Sequence, residues 1–204
     1  KKKYDVPIYK NYNKMLENHK IDVVSIATNN ESHVNILLDI LKLDVKIIFC
    51  EKPISNTLKN IKDLNDIYVE RKIPIYVNYF RKWDRQFQKI GTIINNSKKN
   101  DLLKIEINYS KGLIHTGTHY LDFLIDWFGM PTRWSSPVPI EKISSNDFTS
   151  TFDLFFNFKG REILVKMIGK EIKHDIDRVS IFFKQRKIEI VGARHVNYYN
   201  VIDN

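Results

Sequence analysis

The segment that decides the fold class is Val45–Cys50 (VKIIFC), which Glu51, Lys52 and Pro53 follow directly. β-Branched and aromatic residues over this length are typical of a buried strand, and Pro53 ends the strand because proline has no N–H to give to a sheet. The strand therefore brings an acidic and a basic side chain to its C-terminal end. In open α/β sheets ligands bind at that end, although Lys and Glu are also common on ordinary solvated surfaces.

Strands and helices alternate through the first 80 residues. Each apolar run is followed by a segment with apolar residues at helical spacing. Strands separated by such helices pair in parallel, because the chain must cross a face of the sheet to return. We therefore expect residues 1–80 to form part of a doubly wound parallel sheet. The predicted strands are 22–28, 45–50 and 74–77, and the predicted helices are 12–19, 34–43 and 57–70.

The apolar period changes from 3.6 to 2 after a helix that Gly129 and Pro131 end. Alternation of apolar and polar residues indicates antiparallel strands with one solvated or paired face. We expect residues 81–204 to form a second, α+β domain with a mostly antiparallel open sheet. Its predicted strands are 103–109, 148–159, 161–168, 179–183 and 187–191.

The composition excludes several classes of protein. The net charge of the 204 residues is +9, but the basic residues are scattered among acidic and apolar ones, so we expect no nucleic-acid partner. No apolar run approaches the length of about 20 residues that a membrane span needs. The single cysteine, Cys50, allows no internal disulfide and indicates a reducing compartment, so we predict a cytoplasmic protein.

A phosphate-binding glycine loop is missing from the sequence. The first glycine is Gly91, and no G-x-G-x-x-G occurs anywhere. In a dinucleotide-binding sheet such a loop precedes the first helix, whose backbone N–H groups hold the pyrophosphate. We expect that one βαβ unit is missing before Lys1, whether because the sequence is a fragment, because residues were unobserved, or because the protein never had the loop.

Four segments resemble the family of glucose–fructose oxidoreductase, inositol dehydrogenase and the MocA-like dehydrogenases. They are Asp22–Thr28 with His33 five residues on, Cys50–Pro53 with its E-K-P motif, Val77–Asp84, and His115–Asp122, which resembles a D-x-G-x-H-x-x-D helix start. Together they cover roughly residues 1 to 130. His115 stands where the family motif has Asp, and Phe80 stands where Asn is common.

The resemblance implies a Rossmann-like fold and an NAD- or NADP-dependent dehydrogenase that acts on CH–OH groups of a sugar, an inositol or a nucleotide sugar. It also implies that residues 1–80 bind the dinucleotide, and that residues 81–204 bind the substrate and form a homodimer or homotetramer through the open antiparallel sheet. Its implied catalytic residues are Lys52 and His119. The implied cofactor-binding residues are Thr28, Asn29, His33, Glu51, Lys52 and Pro53, and the implied substrate-binding residues are Arg81, Asp84, His115, His119 and Asp122.

The spacing of His115, His119 and Asp122 leaves three interpretations open. On one α-helix these residues share a face, where they serve catalysis, bind zinc through the two histidines, or simply cap and pack the helix. We expect no metal, because no Cys or Glu nearby completes a tetrahedral site. Arg81 and Asp84 likewise bind sugar hydroxyls or pair with each other.

An alternative from a different class is a relative without cofactor that acts as a binding or assembly subunit. The enzyme requires an anchor for the cofactor phosphates, which these residues do not supply. A G-x-G-x-x-G upstream in the same reading frame would favour the enzyme, and its absence would favour the subunit.

We predict that a chain of these 204 residues alone binds NAD(H) and NADP(H) very weakly. The remaining strand ends orient nicotinamide and ribose, but they offer no N–H cradle for the pyrophosphate. Titration calorimetry on the chain measures this directly. Micromolar binding of either dinucleotide would contradict the argument.

Overall fold

The computed structural model describes residues 6–173, 177–192 and 195–200; Lys1–Asp5, before which the sequence predicts a missing unit, lie outside this part. The chain divides into two compact units, Lys1–Asn78 and Tyr79–Asn204. The functions predicted for the two domains, dinucleotide binding and substrate binding with oligomerisation, stay predictions. Among the described residues, no helix is long and apolar enough to cross a membrane.

The first unit contains a three-stranded parallel sheet in the order β1-β2-β3. Helices separate the strands along the chain, so the predicted strand–helix alternation is confirmed. The boundaries agree with the sequence prediction within about three residues. The strands are β1 (Val23–Ile26), β2 (Ile47–Cys50) and β3 (Ile75–Val77), and the helices are α1 (Tyr12–Asn18), α2 (His33–Ile40) and α3 (Leu58–Arg71).

The core of this unit lies on one face of the sheet. Alternate strand residues such as Ile26 and Ile48 are buried with Leu37 of α2 and Leu64 of α3. The opposite face exposes the apolar side chains of Val23, Phe49 and Tyr76. The rings of Phe49 and Tyr76 stack, with their centroids 5.4 Å apart. A doubly wound sheet carries helices on both faces, and within the described part of this unit they cover only one.

The second unit is built on a mixed sheet in the order β11-β10-β9-β4-β8-β7-β5, with β6 also pairing with β7. The β4–β8 pair is parallel and the other pairs are antiparallel, which confirms a mostly antiparallel open sheet. The helices are α4 (Arg85–Asn96) and α5 (Thr118–Phe128). The strands are β4 (Leu102–Tyr109), β5 (Arg133–Trp134), β6 (Val138–Lys142), β7 (Phe148–Phe158), β8 (Arg161–Gly169), β9 (Arg178–Phe183), β10 (Arg186–Val191) and β11 (His195–Asn200).

Helices α4 and α5 pack together in the core of the second unit. The closest approach is at Gly91, where a Cβ atom would lie 2.7 Å from Nε1 of Trp127. Helix α4 is absent from the sequence prediction, although Phe87, Ile90 and Ile94 have helical spacing and are buried. Strands β5, β6 and β11 were also not predicted.

The open face of the sheet carries ion pairs. Examples are Lys104 with Glu106 at 2.7 Å and Lys187 with Glu189 at 2.7 Å.

We predict that Lys72→Gly stabilises the first unit. Lys72 ends α3 in the left-handed conformation, with φ 54° and ψ 26°, which glycine adopts without steric cost. The expected gain in the free energy of unfolding is about 1 kcal/mol or less, measured by urea denaturation. Lys62→Gly, in the exposed interior of the same helix, is the matched control and should lower it by about 1 kcal/mol. A loss of stability in Lys72→Gly would contradict the prediction.

Candidate active site

The carboxyl ends of the three parallel strands meet at one edge of the first unit. The backbone N–H of Glu51 donates to the carbonyl of Ile26 at 2.9 Å, and the N–H of Asn78 donates to the carbonyl of Cys50 at 2.8 Å. The Asn78 side chain then donates to Oε1 of Glu51 at 2.7 Å. The residues that follow each strand are therefore held together, as expected for a parallel sheet.

His33 joins two of these strand ends from inside the unit. Its ring is fully buried, with Nδ1 2.8 Å from the carbonyl oxygen of Pro53 and Nε2 3.1 Å from that of Thr28. Both partners only accept hydrogen bonds, and a neutral imidazole donates to one of them at a time. The sequence predicts His33 as a cofactor-binding residue. With its ring buried between two loops, it acts on a ligand only by holding those loops.

Polar side chains after β1 form an exposed cluster. The Ser32 hydroxyl lies 2.7 Å from Oγ1 of Thr28 and 2.6 Å from Oδ1 of Asn29. Ser32 directly precedes α2, and its hydroxyl turns to these two residues instead of capping that helix. Hydroxyl and amide groups match the hydroxyls of a ribose and the carboxamide of nicotinamide, so this cluster fits that end of a dinucleotide.

Within the described residues of the same unit, no donor set matches the pyrophosphate end of a dinucleotide. A phosphate cradle of backbone N–H groups needs glycine for close approach, and none of the first 90 residues is glycine. The residues present thus fit nicotinamide and its ribose, through Thr28, Asn29 and the Glu51–Pro53 segment. Lys52 is half-buried at this edge.

His119 lies at the start of α5 in the second unit. It is 7% exposed, and its ring makes edge contacts with Tyr79 and Phe80 at centroid distances of 5.7 Å and 5.5 Å. Burial raises the pKa of the Tyr79 hydroxyl. Two aromatic rings therefore fix the imidazole from the segment that the sequence assigns to the crossover between domains.

His115 does not share an α-helical face with His119. Residues Leu113–Gly117 form a π-helical turn, and α5 begins only at Thr118. The predicted spacing of i, i+4 and i+7 assumes an α-helix from His115 onward, and the wider turn breaks it. His115 is exposed, His119 is buried, and Asp122 is half-buried one turn further along.

Asp122 lies beside a lysine that the sequence analysis did not select. Nζ of Lys82 is 3.6 Å from Oδ1 of Asp122. Burial raises the pKa of the Asp122 carboxyl, Lys82 opposes that rise, and the nearby Asp126 adds to it. The carboxyl therefore keeps its proton to a higher pH than an exposed aspartate does.

Arg81 stacks on an aromatic ring that is itself tied to a carboxylate. Its guanidinium carbon is 4.8 Å from the centroid of the Tyr120 ring, and the Tyr120 hydroxyl donates to Oδ2 of Asp177 at 2.6 Å. Two buried nitrogens of Arg81, Nε and Nη1, have no hydrogen-bond acceptor within the described part of the chain. Asp84 is exposed and caps α4 by accepting from the N–H of Gln86 at 2.8 Å, and no ion pair joins it to Arg81 among the described residues.

Several residues around these sites were missed by the sequence analysis. Asn78 and Tyr79 lie within Val77–Asp84, one of the four segments that resemble the family, so the sequence did contain a signal for these two residues. Asp147 and Asp177 contact the segment Ser110–Tyr120 from more than 30 residues away, and no pattern in the sequence announces them. In the part of the chain that is described, no three His, Cys, Asp or Glu residues group as metal ligands.

Residues 1–79 match the model of an oxidoreductase family with an NAD-binding Rossmann fold. An inositol 2-dehydrogenase from Pseudarthrobacter chlorophenolicus is 32% identical over 94 residues, which are 44% of this chain and 27% of that protein. Residues 1–79 of the chain thus resemble this oxidoreductase family. It is the family that the four sequence motifs resemble, so that prediction is confirmed.

Solved structures agree with the family. An oxidoreductase from Pseudomonas syringae has a TM-score of 0.76 at 15% identity, and the match covers 96% of this chain and 59% of that protein. The UDP-N-acetylglucosamine 3-dehydrogenase of Acidithiobacillus ferrooxidans has a TM-score of 0.70 at 14% identity and covers 95% of this chain and 64% of its own. At these identities the likeness establishes the fold. The predicted fold class, Rossmann-like followed by α+β, is confirmed.

The chain spans 26% to 39% of the length of the first curated relatives that it matches. The matched family is NAD-binding, which confirms the predicted choice of NAD or NADP at the level of the family. The activity and the substrate of the whole protein, its site residues, its oligomeric state and its compartment remain predictions.

We predict that Lys82→Gln raises the pKa of Asp122 further, because it removes the cation that opposes the effect of burial. A carboxyl whose pKa is raised by folding adds most stability in acid and loses that contribution as the pH rises through the raised pKa. The variant should therefore be less stable than the original near neutral pH and equal to it in acid. Carboxyl-carbon NMR titration measures the pKa, with Lys98→Gln as control. A fall in the Asp122 pKa would contradict this assignment.

Proposed function

We propose that the protein is an NAD(P)-dependent oxidoreductase that moves a hydride between nicotinamide and a carbon of a sugar, an inositol or a nucleotide sugar. Two observations outside the site support the substrate class. The matching sequence relatives include inositol 2-dehydrogenases, and a structural neighbour is a UDP-N-acetylglucosamine 3-dehydrogenase. All of these substrates are polyols with a secondary hydroxyl.

The observation that carries the proposal is the fixed backbone on both sides of Lys52. The Glu51 side chain accepts a hydrogen bond from Asn78, and the carbonyl of Pro53 contacts the buried ring of His33. Lys52 is thus held at the carboxyl edge of the sheet, half-buried, between two anchored neighbours. A surface lysine without a role needs no such support, whereas a proton-transfer group must be held in place.

Each predicted site residue has a proposed role in the reaction. When bound, the nicotinamide accepts or supplies the hydride. Lys52 and His119 take and return the proton of the reacting hydroxyl, and Thr28, Asn29 and the Glu51–Pro53 segment hold the ribose and the carboxamide. The residues that orient the sugar hydroxyls are Arg81, Asp84, His115, His119 and Asp122.

A second candidate function is a binding or assembly subunit without cofactor. The absence of glycine from the first 90 residues favours it, because that removes the usual phosphate anchor from these residues. A fold alone does not decide between the two, since related folds host unrelated functions.

Reduction of NAD⁺ and NADP⁺ separates the two candidates. The assay uses the 204-residue chain and, where the gene encodes more residues, the longer chain, each with myo-inositol and with UDP-N-acetylglucosamine. Turnover of either substrate supports the enzyme. Polyol binding without turnover in every chain tested, at saturating dinucleotide, would overturn the enzyme and support the subunit.

We predict that Lys52→Ala lowers the turnover of the active protein by about 10²- to 10⁴-fold, as expected for loss of a general acid–base group. Dinucleotide affinity should change much less. Lys46→Ala is the matched control, because Lys46 directly precedes β2, at the end opposite to Lys52, and is exposed and pairs with Asp22 at 2.8 Å. Its turnover should equal that of the original protein. Unchanged turnover in Lys52→Ala with a confirmed substrate would refute the role.

A further inference from the structure

The turn that precedes α5 has an unusual backbone. Gly112 has a φ of +93°, and the following π-helical turn places the N–H of Gly117 3.1 Å from the carbonyl of Gly112. π-Helical turns are rare and occur frequently at functional sites. The first N–H groups of any helical segment lack partners within it, so they must be satisfied from elsewhere.

Asp147 satisfies two of these N–H groups from the end of the β6–β7 connection. Its carboxylate accepts from the N–H of Ile114 at 2.8 Å and from the N–H of His115 at 2.9 Å. The residue is 7% exposed, so both bonds lie in a region of low dielectric, where a charged acceptor binds more strongly. Thr149 adds a third bond by accepting from the N–H of Gly112 at 2.9 Å.

The contact is close and the carboxylate is itself held. A Cβ atom at residue 112 would lie 2.1 Å from Oδ2 of Asp147, so only glycine leaves room for the carboxylate there. The backbone carbonyl of Asp147 accepts from the N–H groups of Ile143 and Ser144 at 2.9 Å and 3.1 Å. The carboxylate therefore reaches the turn from a rigid base.

We infer that Asp147 is the positioning residue for the two candidate site histidines, His115 and His119. It binds the backbone of His115 directly and sets the direction of the first turn of α5, on which His119 lies. The sequence carries His at 115 where the family motif has Asp, and the structure places the Asp147 carboxylate against the backbone of that same residue. The catalytic meaning of this role rests on the proposed function, but the positioning itself does not.

Loss of a positioning residue loosens the structure locally, whereas loss of a residue that contributes only to overall stability affects the whole unit. Asp147→Asn keeps the size of the side chain but turns one acceptor into a donor that faces an N–H group. Asp101→Asn is the matched control. Asp101 also accepts a backbone N–H, that of Lys98 at 3.2 Å, at the opposite end of β4.

Two measurements on the 204-residue chain test the inference without any substrate. The first is amide hydrogen exchange, in which Asp147→Asn should speed exchange at Ile114 and His115 about tenfold or more relative to strand amides such as that of Val165. The second is carbethoxylation by diethyl pyrocarbonate, in which His119 should react several-fold faster while exposed His19 stays constant. Asp101→Asn should change neither.

Two results would overturn the inference. If Asp147→Asn leaves the turn amides and His119 unchanged, the carboxylate holds nothing. If exchange rises equally throughout the sheet, Asp147 only stabilises the unit. Should Asp147→Asn fail to fold, Thr149→Val removes only the acceptor of the Gly112 N–H. It should free Gly112 and raise the reactivity of His119, and an unchanged His119 would count against the inference.

Activity gives a separate reading. If the proposed function holds, Asp147→Asn should lower kcat by up to about 100-fold, as expected for displaced catalytic groups, with the KM for dinucleotide unchanged. Polyol binding without turnover at saturating dinucleotide, together with a positive exchange result, would overturn the proposed function and leave the positioning role intact.

Discussion

The parallel alignment of β1, β2 and β3 is the constraint from which the first unit follows. It requires that the residues after all three strands lie at one edge, and it leaves their backbone groups to be satisfied there. The buried ring of His33 contacts the carbonyls of Thr28 and Pro53, and the Asn78 side chain donates to the Glu51 carboxylate, so the segments after the strands are tied together. The segment that carries Lys52 is rigid as a by-product of completing these hydrogen bonds.

In the second unit, carboxylate side chains accept hydrogen bonds from backbone N–H groups in a similar way. Asp147 takes the N–H groups that begin the π-helical turn, and Asp177 takes the N–H of Ser110 together with the Tyr120 hydroxyl. Both acids bind the segment between β4 and α5 from elsewhere in the chain. A segment held at each end by a buried or half-buried charge has one low-energy conformation, which suits a site that must hold an imidazole in place.

The alternation of strands and helices in the first 80 residues could be predicted because it depends on local patterns. The position of Lys52 followed from the same patterns, since a proline after an apolar run marks a strand end. The contact of Asp147 with residues 114 and 115 could not be predicted, because it joins residues more than 30 apart and has no motif. Helix α4 had a readable pattern, with Phe87, Ile90 and Ile94 at helical spacing, but it was overlooked.

The π-helical turn shows why a spacing argument failed where a motif succeeded. The motif around His119 identified the family, yet the inference that His115 and His119 share a face assumed 3.6 residues per turn. The turn depends on Gly112 and on Asp147, a residue outside the motif. Local sequence can identify such a segment without determining its conformation.

The contact between Gly91 and Trp127 restricts how this part of the protein can evolve. A side chain at residue 91 would meet the indole ring at 2.7 Å, so a larger residue there is compatible only with a smaller one at 127. A substitution at only one of the two positions gives a protein with either a clash or a cavity in the core. The two positions are therefore expected to covary among homologues, so that a small residue at one accompanies a large residue at the other.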